Sequence, residues 1–170
     1  FFCKYCGKIQ ETEIENEFEL FGIKESVIIS LEKLEESYLG LQAKFHPDKF
    51  INLSEKEIDI STIYSSKINE IYSKLKSNVS RISLMLKNLG YENLNENNSF
   101  DDPDTLNEIM EINEEYMFSH DLAKKREIKE KIIEMIKKIL LDIQEMFENK
   151  EFDKISKNNI KLSYLEKIIK

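Results

Sequence analysis

The chain has 170 residues, of which 41% are hydrophobic and 34% are charged, and its formal net charge is −8. This acidic balance argues against nucleic acid as a partner, because phosphate recognition needs a concentrated basic surface. No apolar run is long enough to span a bilayer, so we expect a soluble protein without membrane contact. With only 4 Gly, 2 Pro and no Trp, the composition is typical of long amphipathic helices.

Residues 1–11 form a short head that contains the pair Cys3 and Cys6. Two cysteines give no disulfide framework, which is typical of a reducing compartment. Zinc prefers four soft ligands in a tetrahedron, and a Cys-x-x-Cys-Gly knuckle supplies two of them. A redox pair is the alternative, although no thioredoxin-like βαβ pattern follows. Because the chain begins at Phe1 rather than at Met, we expect it to start inside a longer protein or after a removed segment.

Two amphipathic helices are predicted around a loop that contains proline. A short helical turn over residues 17–21 precedes them and ends at Gly22, and Ser30 is expected to cap the first helix. Pro47 ends that helix and disfavours helical geometry at His46, so His46-Pro47-Asp48 is predicted to be an exposed loop. The two helices are predicted to form an antiparallel hairpin. Their apolar faces carry Leu31, Leu34, Tyr38, Leu41 and Phe45 in the first, and Ile60, Tyr64, Ile68, Ile71 and Leu75 in the second.

The rest of the sequence predicts one more helix, a linker and a bundle. The helix covers residues 79–89 and ends at Gly90, and the Asn-rich residues 91–101 are interpreted as a linker. Asp102 followed by Pro103 predicts a helix start. Three helices over residues 103–118, 121–148 and 152–170 then predict an antiparallel bundle. Its expected apolar positions are Ile128, Ile132, Met135, Ile139, Ile143 and Met146 in the second helix, and Ile155, Leu162, Leu165 and Ile169 in the third. The predicted fold class is all-α, with a head over residues 1–11, a hairpin unit over 12–90 and a bundle over 102–170.

The hairpin and its loop resemble the J domain over roughly residues 16–77. This resemblance implies that the protein activates the ATPase of a DnaK-type chaperone through the loop between the two helices. The implied chaperone-binding residues are Lys44, His46, Pro47, Asp48 and Lys49. J domains generally dock through a basic second helix, whereas here that helix carries Glu32, Glu35 and Glu36 beside Lys33 and Lys44. Those charges could also be only a solvated helix face.

The resemblance extends to HscB-type co-chaperones over nearly the whole chain. It is carried by residues 18–23, 46–50 and 81–86 and by the bundle that follows. It implies that the bundle binds the scaffold protein on which iron–sulfur clusters are built. The implied scaffold-binding residues are Leu106, Met110, Glu111, Glu114 and Tyr164. The first four lie at i, i+4, i+5 and i+8 and can share one helix face. The alternative is that Leu106 and Met110 belong to the bundle core.

Two positions depart from the family pattern, since Asn107 replaces an apolar residue and Phe118 stands where an acidic residue is usual. Some HscB-type proteins also carry an N-terminal tetracysteine site. This implies that Cys3 and Cys6 form half of a structural zinc site whose other pair lies upstream of residue 1. No other cofactor is expected.

The sequence therefore predicts a co-chaperone that presents an iron–sulfur scaffold protein to a DnaK-type ATPase. Two alternatives stay open: a J-domain protein that serves another client, and a helical interaction protein with a chance His-Pro-Asp loop. We find no phosphate loop, hydrolase nucleophile or carboxylate–histidine metal site in the sequence, so an enzyme is not expected. The expected compartment is a bacterial cytoplasm, with a mitochondrial matrix as the alternative.

Overall fold

The computed structural model describes residues 1–91 and 103–170. In these ranges the helices are α1 (Glu17–Leu20), α2 (Leu31–Phe45), a 3₁₀ turn (Pro47–Lys49), α3 (Glu55–Lys76), α4 (Asn78–Asn88), α5 (Pro103–Phe118), α6 (Leu122–Glu148) and α7 (Phe152–Ile168). The predicted all-α class is confirmed. None of the helices in the described ranges is long and apolar enough to cross a membrane. The predicted linker beyond Tyr91 and the predicted cap Asp102 lie outside the described residues.

The contacts divide the chain into two units. The first comprises Phe1–Glu25 and Ile29–Ser80, and the second comprises Ser26–Ile28 and Arg81–Lys170. Most of α4 therefore groups with the second unit, whereas from the sequence it is predicted to belong to the hairpin unit. The difference has a physical reason, because hydrophobic periodicity marks a buried helix face but does not say which neighbour covers it.

The first unit is built on the hairpin of α2 and α3. The Tyr38 hydroxyl donates a hydrogen bond to Asn69 Oδ1 at 2.9 Å, and Gln42 Nε2 donates to the Ser65 carbonyl at 3.2 Å. A residue later in α2 thus pairs with a residue earlier in α3, which confirms that the two helices are antiparallel. Its buried positions include the following apolar and aromatic residues: Phe18, Phe21, Leu34, Phe45, Ile60, Tyr64, Ile68, Ile71 and Leu75. The prediction is wrong for Leu31, which stays 53% exposed at the first turn of α2.

The second unit contains the predicted three-helix bundle of α5, α6 and α7. Asp121 caps α6 by accepting the Ala123 N–H at 2.8 Å. The predicted core of α6 is corrected at Met135 and Met146, which are only half-buried, and Ile136 is buried although it was not predicted. Ile136 continues the i, i+4 stripe from Ile132, as a helix of 3.6 residues per turn requires. The buried residues of the bundle are Ile109, Ile112, Ile128, Ile132, Ile136, Ile139, Ile143, Ile155, Leu162 and Leu165, whereas Met146 and Ile169 are half-buried.

A three-residue strap, Ser26–Ile28, belongs to the second unit although it precedes α2. Val27 is fully buried, and its carbonyl accepts hydrogen bonds from Arg81 Nε at 3.0 Å and Nη2 at 2.8 Å. Gln144 Oε1 accepts the Val27 N–H at 3.1 Å. Burial lowers the pKa of the Arg81 guanidinium to about 10. Both backbone polar groups of the buried residue are therefore satisfied by side chains, as burial demands.

Candidate functional site

The His-Pro-Asp loop is exposed but internally ordered. His46 ends α2 in an extended conformation, with φ −62° and ψ 130°, which is the geometry that a following proline imposes. The His46 Nδ1 atom accepts the backbone N–H of Asp48 at 3.3 Å, and Asp48 Oδ2 lies 3.5 Å from the same nitrogen. The side chains of His46 and Asp48 are 53% and 78% exposed. The loop therefore presents an imidazole and a carboxylate to solvent side by side.

Two buried aromatic residues anchor this loop. Phe45 before it is 1% exposed and Phe50 after it is 6% exposed. The Lys49 N–H donates to the His46 carbonyl at 3.0 Å, and the Phe50 N–H donates to the Pro47 carbonyl at 2.8 Å. Short hydrogen-bonded turns pinned at both ends lose little further conformational entropy when a partner binds.

The charged side chains of α2 are not all available to a partner. Glu35 on α2 accepts a hydrogen bond from the Tyr72 hydroxyl, and Lys76 Nζ donates to the same hydroxyl at 3.2 Å. The hydrogen bond to Tyr72, with a smaller contribution from Glu35, raises the pKa of Lys76. One of the three acidic residues of α2 is thus held against α3. Lys44 and Lys49, by contrast, are exposed on either side of the loop.

A shallow groove lies between α5 and α7 in the second unit. Its volume is about 260 Å³, and three of the residues predicted from the family pattern line it: Leu106, Met110 and Tyr164. Met110 is 52% exposed and Tyr164 is 40% exposed, whereas Ile109 is 3% exposed and faces the core. Met110 is therefore a surface residue of α5. An exposed apolar groove with a flexible methionine is typical of a protein-binding surface.

The two predicted acidic residues, Glu111 and Glu114, are exposed but do not line this groove. In the described part of the chain no ion pair holds either of them, whereas the neighbouring Glu108 pairs with Lys161 at 3.1 Å and Glu115 pairs with Lys124 at 3.2 Å. Lys167 also lines the groove and is not among the residues predicted from the sequence. Its spacing of i+3 from Tyr164 is the signal that could have found it, and its ammonium lies 5.3 Å from the Tyr164 ring centroid.

The cysteine head forms a tight knuckle. The Cys3 N–H donates to the Lys8 carbonyl at 2.9 Å, the Gly7 N–H donates to the Cys3 carbonyl at 2.9 Å, and Gly7 has the positive φ of 71° that glycine tolerates. The backbone N–H groups of Cys6 and Tyr5, in that order, lower the pKa of the Cys3 thiol. The thiolate is the form that binds zinc, so the knuckle fits two of four ligands. In residues 1–91 and 103–170 no group of three or more His, Cys, Asp or Glu residues completes such a site.

Comparisons with known proteins identify a family, relatives and solved structures that are similar to this chain. Residues 101–170 match the family described as the HSCB C-terminal oligomerisation domain. An iron–sulfur cluster co-chaperone protein HscB homolog of Arabidopsis thaliana is 32% identical over 167 residues, which cover 98% of this chain and 66% of that protein. A co-chaperone protein HscB homolog of Aliivibrio fischeri is 30% identical over 157 residues, covering 90% of this chain and 92% of the relative.

Among solved structures, that of the human co-chaperone protein HscB superimposes with a TM-score of 0.88 at 30% identity, covering 99% of this chain and 86% of the human chain. The likeness thus extends over both units and includes the head, the hairpin with its loop, and the bundle. On the match to residues 101–170 and on these relatives, the chain belongs to the HscB family of co-chaperones.

Proposed function

We propose that this protein stimulates the ATPase of a DnaK-type chaperone and delivers an iron–sulfur cluster scaffold protein to it, which assists cluster transfer. The observation that carries the proposal is the exposed loop at His46, Pro47 and Asp48, fixed at the end of the α2–α3 hairpin. The Arabidopsis relative is named as an iron–sulfur cluster co-chaperone, which supports the choice of client.

The loop acts on its partner by binding. It biases the ATPase between two conformations, and such a bias requires contacts that differ between those conformations. His46 supplies Nε2 and Asp48 supplies a carboxylate, while Lys44 and Lys49 border the loop with positive charge. Because the loop is already ordered, little of its binding free energy is lost in ordering it.

The scaffold protein would occupy the groove between α5 and α7. Leu106, Met110 and Tyr164 provide its apolar surface, and Glu111 and Glu114 provide acidic contacts beside it. Since Glu111 and Glu114 have no ion-pair partner in the described part of the chain, they are available to a basic segment of the scaffold.

The first experiment tests the chaperone contact by single-turnover ATP hydrolysis. His46→Gln should abolish stimulation of the DnaK-type ATPase. The matched control is His120→Gln, because His120 is the other histidine of the chain and lies exposed in the second unit. Equal stimulation by the wild-type protein and the His46→Gln variant would leave only a helical interaction protein.

The second experiment tests the client. Met110→Ala should weaken scaffold binding in calorimetry by about 10-fold, since truncating an interface anchor typically costs 1–2 kcal/mol. Met117→Ala is the matched control, because Met117 is 64% exposed on the same helix but does not line the groove. Stimulation of the ATPase without synergy from the scaffold would point to a J-domain protein that serves another client.

Two further parts of the proposal concern the head and the compartment. Cys3 and Cys6 would supply half of a structural zinc site, and the metal content of the full-length protein, measured with and without Cys3→Ser, tests this.

The compartment would be a bacterial cytoplasm, with a mitochondrial matrix as the alternative, since the relatives come from both bacteria and eukaryotes. Cell fractionation distinguishes the two.

A further inference from the structure

The head packs its aromatic residues against the end of α2. The Phe2 ring stacks on Phe45 with centroids 5.4 Å apart and an interplanar angle of 23°. Phe1 meets Phe45 edge-on at 5.3 Å and meets Tyr64 edge-on at 5.1 Å. Phe45 is the residue directly before the His-Pro-Asp loop, so the head and the loop share one buried ring.

The ammonium group of Lys44 lies over this stack. Its Nζ atom is 5.2 Å from the Phe2 ring centroid and 5.4 Å from the Phe45 ring centroid. Both distances are within the range of a cation–π contact. One of the two exposed lysines that border the loop is therefore held by a residue of the head, which lies more than forty positions earlier in the sequence.

The position of Phe2 is itself fixed by the fold of the head. An isolated bridge pairs Phe2 with Ile9, which is 4% exposed, and the Gln10 N–H donates to the Phe1 carbonyl at 2.8 Å. The Tyr64 hydroxyl on α3 donates to the Gln10 carbonyl at 2.8 Å. The head is thus closed on itself and bonded to the hairpin. The position of the Phe2 ring beside Lys44 is therefore set by the fold of the head.

We infer that Phe2 is a positioning residue for Lys44, so that the cysteine head sets the direction of the cation that borders the chaperone-binding loop. A free lysine must be ordered when it meets a partner, whereas a lysine in contact with two rings has already lost part of that freedom. The inference rests on the proposed function, in which the DnaK-type ATPase is the partner that Lys44 meets. Phe2 touches the lysine and the ring behind the loop, and it need not touch the partner.

The expected effect is on affinity and not on maximal stimulation, because the loop itself is anchored by its own hydrogen bonds. A cation–π contact at an exposed site corresponds to about 2- to 5-fold in an equilibrium constant. Phe2→Leu keeps an apolar side chain on Phe45 but removes the ring face from the ammonium. It should raise the half-maximal concentration for ATPase stimulation by that factor and leave the plateau unchanged.

Three matched variants separate positioning from packing. Phe2→Tyr keeps the ring and should behave as the wild-type protein. In a Lys44→Ala background, Phe2→Leu should add no further loss, because the cation it orients is gone. Tyr5→Ala should change nothing, since the Tyr5 side chain is fully exposed on the same head. An equal loss from Phe2→Leu in both backgrounds, or a Phe2→Tyr variant as weak as Phe2→Leu, would overturn the inference.

A measurement without the partner completes the test. In the wild-type protein the ε-methylene protons of Lys44 should be shifted upfield in the proton NMR spectrum by the ring currents of the stack, and Phe2→Leu should reduce that shift. An unchanged shift would overturn the positioning role whatever the ATPase assay gives. A wild-type protein that shows the shift but stimulates no DnaK-type ATPase would refute the proposed function alone.

Discussion

Replacing Tyr64 by Phe should loosen the attachment of the cysteine head to the hairpin without opening a cavity. Tyr64 is 3% exposed, and its ring contacts both Phe1 and Phe45, so the substitution keeps the packing. What it removes is the hydroxyl, which donates to the Gln10 carbonyl at 2.8 Å and accepts the Thr12 N–H at 2.5 Å.

The magnitude follows from these two hydrogen bonds. A neutral hydrogen bond contributes a net 0.5–1.5 kcal/mol, so their loss should lower the local free energy of opening by about 1–3 kcal/mol. At 1.4 kcal/mol per factor of ten, amide exchange at Thr12 should accelerate by about 5- to 150-fold. The free energy of unfolding of the whole hairpin should fall by less, because the rings of Phe1 and Phe2 still pack against Phe45.

Hydrogen exchange followed by NMR measures this directly. Tyr72→Phe is the matched control, because the Tyr72 hydroxyl bonds Glu35 on the exposed side of the same helix pair. That variant should leave exchange at Thr12 unchanged. Thr12 exchange at the wild-type rate in the Tyr64→Phe variant would refute the argument that this hydroxyl fastens the head.

Three further predictions concern stability, and urea unfolding measures each of them. Arg81→Met should destabilise the second unit by about 1–3 kcal/mol. The loss of two charge-assisted hydrogen bonds to Val27 outweighs the gain from no longer burying a guanidinium. Equal stability would show that these hydrogen bonds do not hold the strap. Ile132→Ala should cost about 2–5 kcal/mol, since the side chain is fully buried, and a cost below 1 kcal/mol would contradict its place in the core. Glu57 accepts hydrogen bonds from the Ser54 hydroxyl at 2.7 Å and the Ser54 N–H at 3.3 Å, and chiefly the hydroxyl lowers the pKa of this carboxyl below 4.5. Because this pKa is lowered in the folded state, Glu57 contributes to the free energy of unfolding above pH 4.5, and that contribution is lost as the pH falls through the folded pKa. In the Glu57→Gln variant the free energy of unfolding should therefore fall less steeply as the solution is acidified. An unchanged pH dependence would contradict this.

The helix boundaries could be predicted because their causes are local. Pro47 ends α2 where the sequence places it, and Ser30 caps that helix by accepting the Lys33 N–H at 3.3 Å. Gly22 and Gly90 end their helices with φ of 62° and 85°, a backbone conformation that favours glycine. Each of these signals depends on a few neighbouring residues, so no knowledge of the tertiary fold was needed.

The contacts that the sequence did not predict are long-range. The bond from Arg81 to Val27 spans 54 positions, and the stacking of Phe2 on Phe45 spans more than forty. Neither contact can be predicted from helical periodicity. The periodicity indicates which residues are buried, but it does not indicate which residues they contact. The groove shows the same limit. The family pattern named Leu106, Met110 and Tyr164, but only the packing of α7 against α5 brings them together.

The charges of α2 show why a count of residues misjudges a binding face. The helix carries three glutamates and two lysines, which suggests a weakly acidic surface. In the structure, however, Glu35 accepts a hydrogen bond from the Tyr72 hydroxyl, to which Lys76 also donates, so one of the three glutamates is held against α3. At the loop end of α2, Lys44 lies beside the rings of Phe2 and Phe45. Lys49 follows Asp48 on the other side of the loop. Since electrostatic interactions act at short range in salt, the two lysines that border His46 affect the potential at the loop more than the net charge of −8 does.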